Sequence, residues 1–242
     1  MSVLILSGTT TPQFRTHNNH SKYAERHGYD CIFDTKNYGR LPSPYFFKIA
    51  SLQHYLSRYD WIFWLDDDAI FTQLQISLTQ LVPEMSQNPT VIFCKSPINQ
   101  GAWTYISSGN FLIRRCPQTL DALSQVMRTN LDEVKDWWDE KKFGMFTNGD
   151  QDAIVFQMTR GVFDKYLILD YQRFNTRPFH YKNKASEHFL CHFTHAPGLT
   201  KQEQMDRFCQ KFGLSDCLLP RYKSSLLSRA LKSVRFYLTR QT

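Results

Sequence analysis

The chain has 242 residues, 42% of them hydrophobic, with only ten glycines and ten prolines; that is enough apolar material for a large core and too few breakers for a disordered polymer. Its formal charge of +7 is unevenly placed: six Lys and Arg and no acid follow Cys217, so the body is nearly neutral and nucleic acid running across the main domain is excluded. The six cysteines lack the close pairs of a zinc site and read as reduced, mostly buried thiols.

In chain order, Val3-Leu4-Ile5-Leu6 predicts an opening strand, followed by a turn-rich loop from Ser7 to Pro12. The start has no basic n-region and only four consecutive apolar residues, so neither a signal peptide nor a membrane span is expected, and the chain is placed in the cytoplasm. Residues 16–26 can form a helix that ends near Gly28, leading to a strand over residues 29–33. Tyr45, Ile49, Leu52 and Leu56 have helical spacing. The run from Tyr59 to Leu65 then reads as a strand buried on both faces. Strand, helix, strand, helix, strand predicts a parallel sheet with a ligand site at its carboxyl edge. Further strands are expected at residues 91–94, 111–113 and 166–169, and a helix from Asp150, with Asp152 or Asn148 capping its start.

The most informative junction is the end of the third strand, where Trp64-Leu65 meets Asp66-Asp67-Asp68. In extended chain Asp66 and Asp68 point the same way, roughly 6.5–7 Å apart, while Asp67 points elsewhere. Adjacent carboxylates at the end of a buried strand repel one another unless a cation or donors offset them, so Asp66 and Asp68 are expected to approach one divalent cation or nucleotide from the same side. Late in the chain, histidine alternates with apolar residues from His188 to His195, which places His188 and His192 on one face.

Residues 1–217 are expected to form one α/β domain and residues 218–242 a basic amphipathic helix. Leu227, Leu231, Val234 and Leu238 make the apolar stripe of that helix, opposite Arg229, Lys232, Arg235 and Arg240. Such a helix suits the anionic inner face of a membrane, which would hold the protein there peripherally.

Residues 22–72, including Lys48 and Asp-Asp-Asp, resemble the retaining glycosyltransferase family of fungal galactosyl- and mannosyltransferases and plant xyloglucan xylosyltransferases. Ser107-Ser108-Gly109-Asn110-Phe111-Leu112-Ile113-Arg114 resembles that family's Asn-Thr-Gly-x-Phe-Leu-Ile-Arg block, Gly149-Asp150-Gln151 its Asp-Asp-Gln, and His192-Phe193 its late His-Phe pair. The resemblance implies the GT-A fold, a Rossmann-like α/β domain with a mainly parallel central sheet flanked by helices. It implies a divalent metal, manganese before magnesium, held by Asp66, Asp68 and His192, and a nucleotide-sugar, UDP-linked, as donor. Gln151 would sit beneath the reacting sugar carbon and Asp150 would bond sugar hydroxyls. Ser7, Gly8, Thr9, Lys48, Asp67, Ser108 and Gly109 would contact the donor, and Trp103, Tyr105 and His195 a glycan or glycolipid acceptor.

The expected activity is metal-dependent, anomer-retaining transfer of a hexose or pentose. Two other readings compete. A haloacid dehalogenase-type phosphatase also places Asp-x-Asp after an apolar strand, but Ala69 stands where Thr or Val is needed and a later acidic pair is lacking. A catalytically inactive sugar-binding module is the third reading.

Overall fold

The computed structural model describes residues 1–194 and 199–218; His195 and the basic stretch from residue 219 lie outside the described residues. The opening apolar run forms β1 (Val3–Gly8), buried along its whole length. It leads into α1 (His17–His27), which stops where Gly28 adopts the left-handed conformation at φ 65° and its N–H caps the carbonyls of Ala24 and Glu25. β2 (Asp30–Asp34), α2 (Phe47–Tyr55) and β3 (Trp61–Leu65) follow, and β1 pairs in parallel with both β2 and β3. Then come β4 (Ala69–Phe71), α3 (Leu78–Leu81), β5 (Val91–Cys94), β6 (Ser107–Arg114), α4 (Pro117–Met127), α5 (Leu131–Trp137), α6 (Glu140–Phe143), α7 (Asp150–Thr159), β7 (Leu167–Leu169), β8 (Leu190–His192) and α8 (Lys201–Lys211).

The main sheet runs β2-β1-β3-β6-β5-β7. Within it β6 is antiparallel to its neighbours β3 and β5, and the other strands share one direction. This is the mixed, mainly parallel α/β sheet that the element order predicts. Because β3 lies inside the sheet, both its faces meet core. Ile62 and Trp64 join Leu4, Leu6 and the apolar faces of α2, α4 and α7, while Trp61, Phe63 and Leu65 join Ile5, Tyr23 and Phe71 on the other side. Burial on both faces is why the run is continuously apolar instead of alternating.

Two elements differ from the sequence expectation. Ile49, Leu52 and Leu56 are fully buried, but Tyr45 is 60% exposed. The α-helix begins only at Phe47, and Pro44–Phe46 forms a 3-10 turn whose tighter winding rotates Tyr45 off the buried face. The strand expected at residues 111–113 is also longer, starting at Ser107. Phe93 pairs with Phe111 but Cys94 with Ser107, so Ser108, Gly109 and Asn110 bulge from the pairing with β5. Their polar, glycine-containing composition conceals strand structure from an apolar-run criterion, and the bulge re-aims them toward the end of β3.

β4 and β8 form a separate antiparallel pair beside the end of β3, with Ala69 opposite His192. Helix α1 grips this pair mainly through its backbone. Asn19 exchanges two hydrogen bonds with Phe71, at 2.9 and 2.7 Å, and Tyr23 stacks on the Phe71 ring at 3.8 Å. His20 Nε2 lies 2.8 Å from the Ala69 carbonyl and donates to it, leaving Nδ1 buried without a partner.

Burial pushes His20 down to about 4, overriding the support of the Ala69 carbonyl. A histidine whose folded value lies below its unfolded value of 6.5 keeps the fold stable while neutral. Stability is therefore expected to fall as pH drops from about 6.5 toward 4, at up to about 1.4 kcal/mol per pH unit from this group. His180, also lowered to about 4, titrates in the same window. Urea titrations across this range should give a shallower pH dependence for His20→Gln than for the parent chain; equal slopes would remove His20 as the source.

Candidate active site

Asp66, Asp67 and Asp68 form a tight turn between β3 and β4, and backbone groups hold it from three directions. Asp66 N–H donates to the Gly109 carbonyl at 2.7 Å, the Asp67 carbonyl accepts from Thr16 Oγ1 at 2.8 Å, and the Asp68 carbonyl accepts from Phe193 N–H at 2.9 Å. The side chains are thereby left for chemistry. Asp66 Oδ1 accepts from Trp64 Nε1 at 2.8 Å and lies 3.1 Å from Lys48 Nζ, while its Oδ2 faces Gly109. Asp68 Oδ2 accepts from Lys201, but its buried Oδ1 has no hydrogen bond although His192 Nε2 is 3.2 Å away.

Each outer carboxylate thus has one oxygen held by a donor and the other turned toward the imidazole. Donor atoms of Asp66, Asp68 and His192 lie within 4.8 Å of one another. His192 Nδ1 lies 3.2 Å from Asn175 Oδ1 and 3.3 Å from Arg177 Nη1; when Nδ1–H donates to Asn175, Nε2 carries the lone pair a metal requires. The orphaned Asp68 Oδ1 and the oxygen-and-imidazole donor set fit a divalent cation of the manganese or magnesium kind. Gly109 makes the approach possible: a Cβ there would lie 2.4 Å from His192 Cε1.

Charge crowding is visible in the turn. Burial raises the Asp67 carboxyl, and the carboxylates of Asp68 and Asp66 raise it further, to about 7. Burial also acts to raise Asp68, but the imidazole of His192 and the Lys201 ammonium outweigh it and hold the carboxyl well below the ordinary range.

Lys48 joins this turn to the N-terminus of α7. Its ammonium is buried, 3.1 Å from Asp66 and 3.4 Å from Asp150, and it donates to the Ser108 carbonyl at 2.9 Å. Burial works against its charge, yet the carboxylates of Asp150 and Asp66 hold it above its ordinary value. Burial pushes Asp150 up to about 6 against the pull of Lys48. Gln151 Oε1 accepts from Ser108 N–H at 3.1 Å, fixing its amide to the β6 bulge. Asp152 reaches back to the N–H groups of Thr147 and Gly149, at 2.9 and 3.2 Å, and caps this helix start.

Two clefts meet at the turn. One, of about 340 Å³, is walled by Ser107, Ser108, Gly109, Asp150, Gln151, Arg177 and His192. The other, of about 250 Å³, is walled by Gly8, Thr9, Thr10, Asp67, Asp68 and Lys201. Tyr45, Lys48 and Asp66 line both.

The structure therefore gathers Gly8, Thr9, Lys48, Asp66, Asp67, Asp68, Ser108, Gly109, Asp150, Gln151 and His192 around one trough. Ser7 is buried behind it with an unpartnered hydroxyl. Thr104 lines the cleft, but its neighbours Trp103 and Tyr105 do not; the Tyr105 ring packs edge-on against Phe143. His188 precedes β8, and its ring meets Tyr181, away from the clefts. His195 lies outside the described residues. Tyr45, Arg177, Asn175 and Lys201 were not foreseen. For Lys201 a signal existed: Thr200-Lys201-Gln202-Glu203 is a capping box that starts α8 and aims its first residue at Asp68.

Gly109→Ala should force the His192 ring or the bulge to move, weakening Mn2+ binding by about 10–100-fold. Calorimetric titration with Mn2+ checks this, with far-UV circular dichroism showing that the fold persists. Unchanged affinity would mean that His192 is not a ligand.

Known proteins resemble the chain over residues 10–92 and in its fold. Residues 10–92 match the galactosyl transferase GMA12/MNN10 family, a stretch that contains Lys48 and the acidic turn. Xyloglucan 6-xylosyltransferase 4 of Arabidopsis thaliana is 27% identical over 106 residues, covering 42% of this chain and 20% of that protein. Glycosyltransferase 6 of the same plant is 29% identical over 120 residues, 45% of this chain and 26% of its own length. The chain thus spans between a fifth and about a quarter of these curated relatives. In three dimensions it superimposes on a glycosyltransferase involved in the glycosylation of the major capsid of PBCV-1, with a TM-score of 0.62 over 86% of this chain and 99% of the other, at 14% identity. At that identity the likeness speaks for the fold. The chain carries the GT-A glycosyltransferase fold and, over residues 10–92, resembles the galactosyl transferase GMA12/MNN10 family.

Proposed function

We propose that the protein is a glycosyltransferase that takes a hexose or pentose from a nucleoside diphosphate sugar, UDP-linked, and transfers it with retained anomeric configuration to a glycan or glycolipid. The observation that carries this reading is the cluster of Asp66, Asp68 and His192 at the meeting point of two clefts. A ligand with a nucleoside at one end, a diphosphate in the middle and a sugar at the other end has that layout. The names of the relatives, a xylosyltransferase among them, support the same reaction class.

Asp66, Asp68 and His192 would hold the cation, which when bound neutralises charge on the departing diphosphate. Lys48 and Lys201 bring two further positive charges to the same region. Asp150, tied to Lys48, is placed to accept hydrogen bonds from sugar hydroxyls. Gln151, fixed by Ser108, positions the sugar instead of attacking it, since an amide is a poor nucleophile. Front-face attack assisted by the leaving phosphate then fits retention better than a covalent intermediate does.

A panel of nucleotide-sugars incubated with the protein and Mn2+ tests the reading. Release of the nucleoside diphosphate should require the metal, stop in excess chelator, and fall by roughly a hundredfold or more in Asp68→Asn. Gln151→Ala should slow transfer yet leave a measurable rate. NMR of the first-formed product should show the donor's anomeric configuration, and inversion would overturn the retaining mechanism.

Attachment to anionic membrane through residues 224–240 belongs to the same proposal, supported by their basic amphipathic spacing. The full chain should co-sediment with phosphatidylserine vesicles at low salt and lose this on deletion of residues 222–242. If the full-length chain ignores the vesicles, that part of the proposal fails.

A further inference from the structure

Of the residues common to both clefts, Lys48 and Asp66 pair with each other, whereas Tyr45 has no hydrogen-bond or ring partner among the described residues. The surrounding chain anchors its backbone. Pro44 opens the 3-10 turn, and the next two side chains, Phe46 and Phe47, are anchored in the core at 0% and 5% exposure, while Tyr45 is left 60% exposed. The ring rests against Gly149, where an added Cβ would come 3.1 Å from Tyr45 Cδ2. Any side chain at residue 149 would crowd it. The ring therefore stands beside Asp150 and Gln151 at one end and the acidic turn at the other.

A large aromatic face kept out of the core and lining a polar trough suits an occupant with an apolar surface. The negative π face attracts polarised C–H groups and disfavours anionic phosphate oxygens. In a donor lying across the two clefts both the nucleoside and the pyranose offer a C–H face, and the contact of the ring with Gly149, next to Asp150 and Gln151, favours the pyranose. We propose that Tyr45 is a sugar-binding platform: the C–H face of an uncharged pyranose lies on its ring, between the diphosphate beside Lys48 and Asp66 and the amide of Gln151. This rests on the nucleotide-sugar reading above and adds a specificity element to it. Because Pro44 and the two buried neighbours fix the backbone at Tyr45, the ordering entropy that opposes stacking is confined to the side chain.

The test compares ligands with and without the sugar. Full-length protein with saturating Mn2+ is titrated calorimetrically with UDP and with UDP-glucose, UDP-galactose and UDP-xylose, in the parent, Tyr45→Ala and Tyr45→Phe. For the UDP-sugars that the parent binds, Tyr45→Ala should lose roughly five- to tenfold in affinity while its affinity for UDP stays as in the parent. Tyr45→Phe should bind as the parent does. Because Tyr45 is exposed, these variants put no core packing at risk. Equal losses for UDP and UDP-sugar, no loss, or a loss in Tyr45→Phe as large as in Tyr45→Ala would each overturn the platform while leaving the donor reading intact. If the parent binds UDP but none of the UDP-sugars, or binds neither, the donor reading fails and the platform falls with it.

Discussion

Three adjacent carboxylates at the end of a buried strand impose the constraint around which the site is organised. Their mutual repulsion in a partly dry setting has to be offset, and the fold brings cations from distant parts of the chain to do it. Lys48 arrives from α2 against Asp66, and Lys201 from α8 against Asp68, with the His192 imidazole between them. Asp67 forms no ion pair among the described residues, and burial together with the neighbouring carboxylates, only partly offset by Lys201, raises its carboxyl toward neutrality. The balance is local: removing one cation leaves a buried carboxylate exposed to its neighbours, which costs more than the pair contributes.

The same arrangement links the elements that frame the clefts. Lys48 touches the turn, the β6 bulge and the start of α7 at once, and Gln151 adds a second tie between α7 and the bulge. The bulge itself exists because β6 pairs with β3 in one register and with β5 in another. One strand irregularity therefore places Ser108 against Lys48 and Gln151, and Gly109 against Asp66 and His192.

What could be read in the sequence was whatever local pattern determines. The apolar run into Asp66-Asp67-Asp68 announced both a central strand and a charged site, and the alternation of strands and helices announced a parallel arrangement. Long-range pairing was less visible. The bulge depends on two partner strands at once, and its Ser-Ser-Gly-Asn composition looks like loop. Tyr45 shares the helical spacing of Ile49, Leu52 and Leu56, and only the 3-10 turn before α2 sets it apart from them and turns it outward. Arg177 and Asn175 reach His192 from the connection between β7 and β8, where a single bridge at Thr176 and a 3-10 turn are too short for any periodicity to point to them. Trp103 and Tyr105 attracted notice as aromatics, while the cleft takes the small Thr104 between them.

The hydrogen bonds that shape the acidic turn engage carbonyl and amide groups: Thr16 on Asp67, Gly109 on Asp66, Phe193 on Asp68, and Asn19 and His20 on the two ends of β4. None of these bonds depends on which side chain the turn displays. The backbone path of the turn is thus set apart from its side chains, whereas Lys48 and Lys201 depend on the acids themselves. Exchange of Asp66 or Asp68 would therefore leave the path of the turn supported while stranding the ammonium of Lys48 or Lys201, so loss of the acids is felt first as an imbalance of charge and only afterwards as a loss of shape.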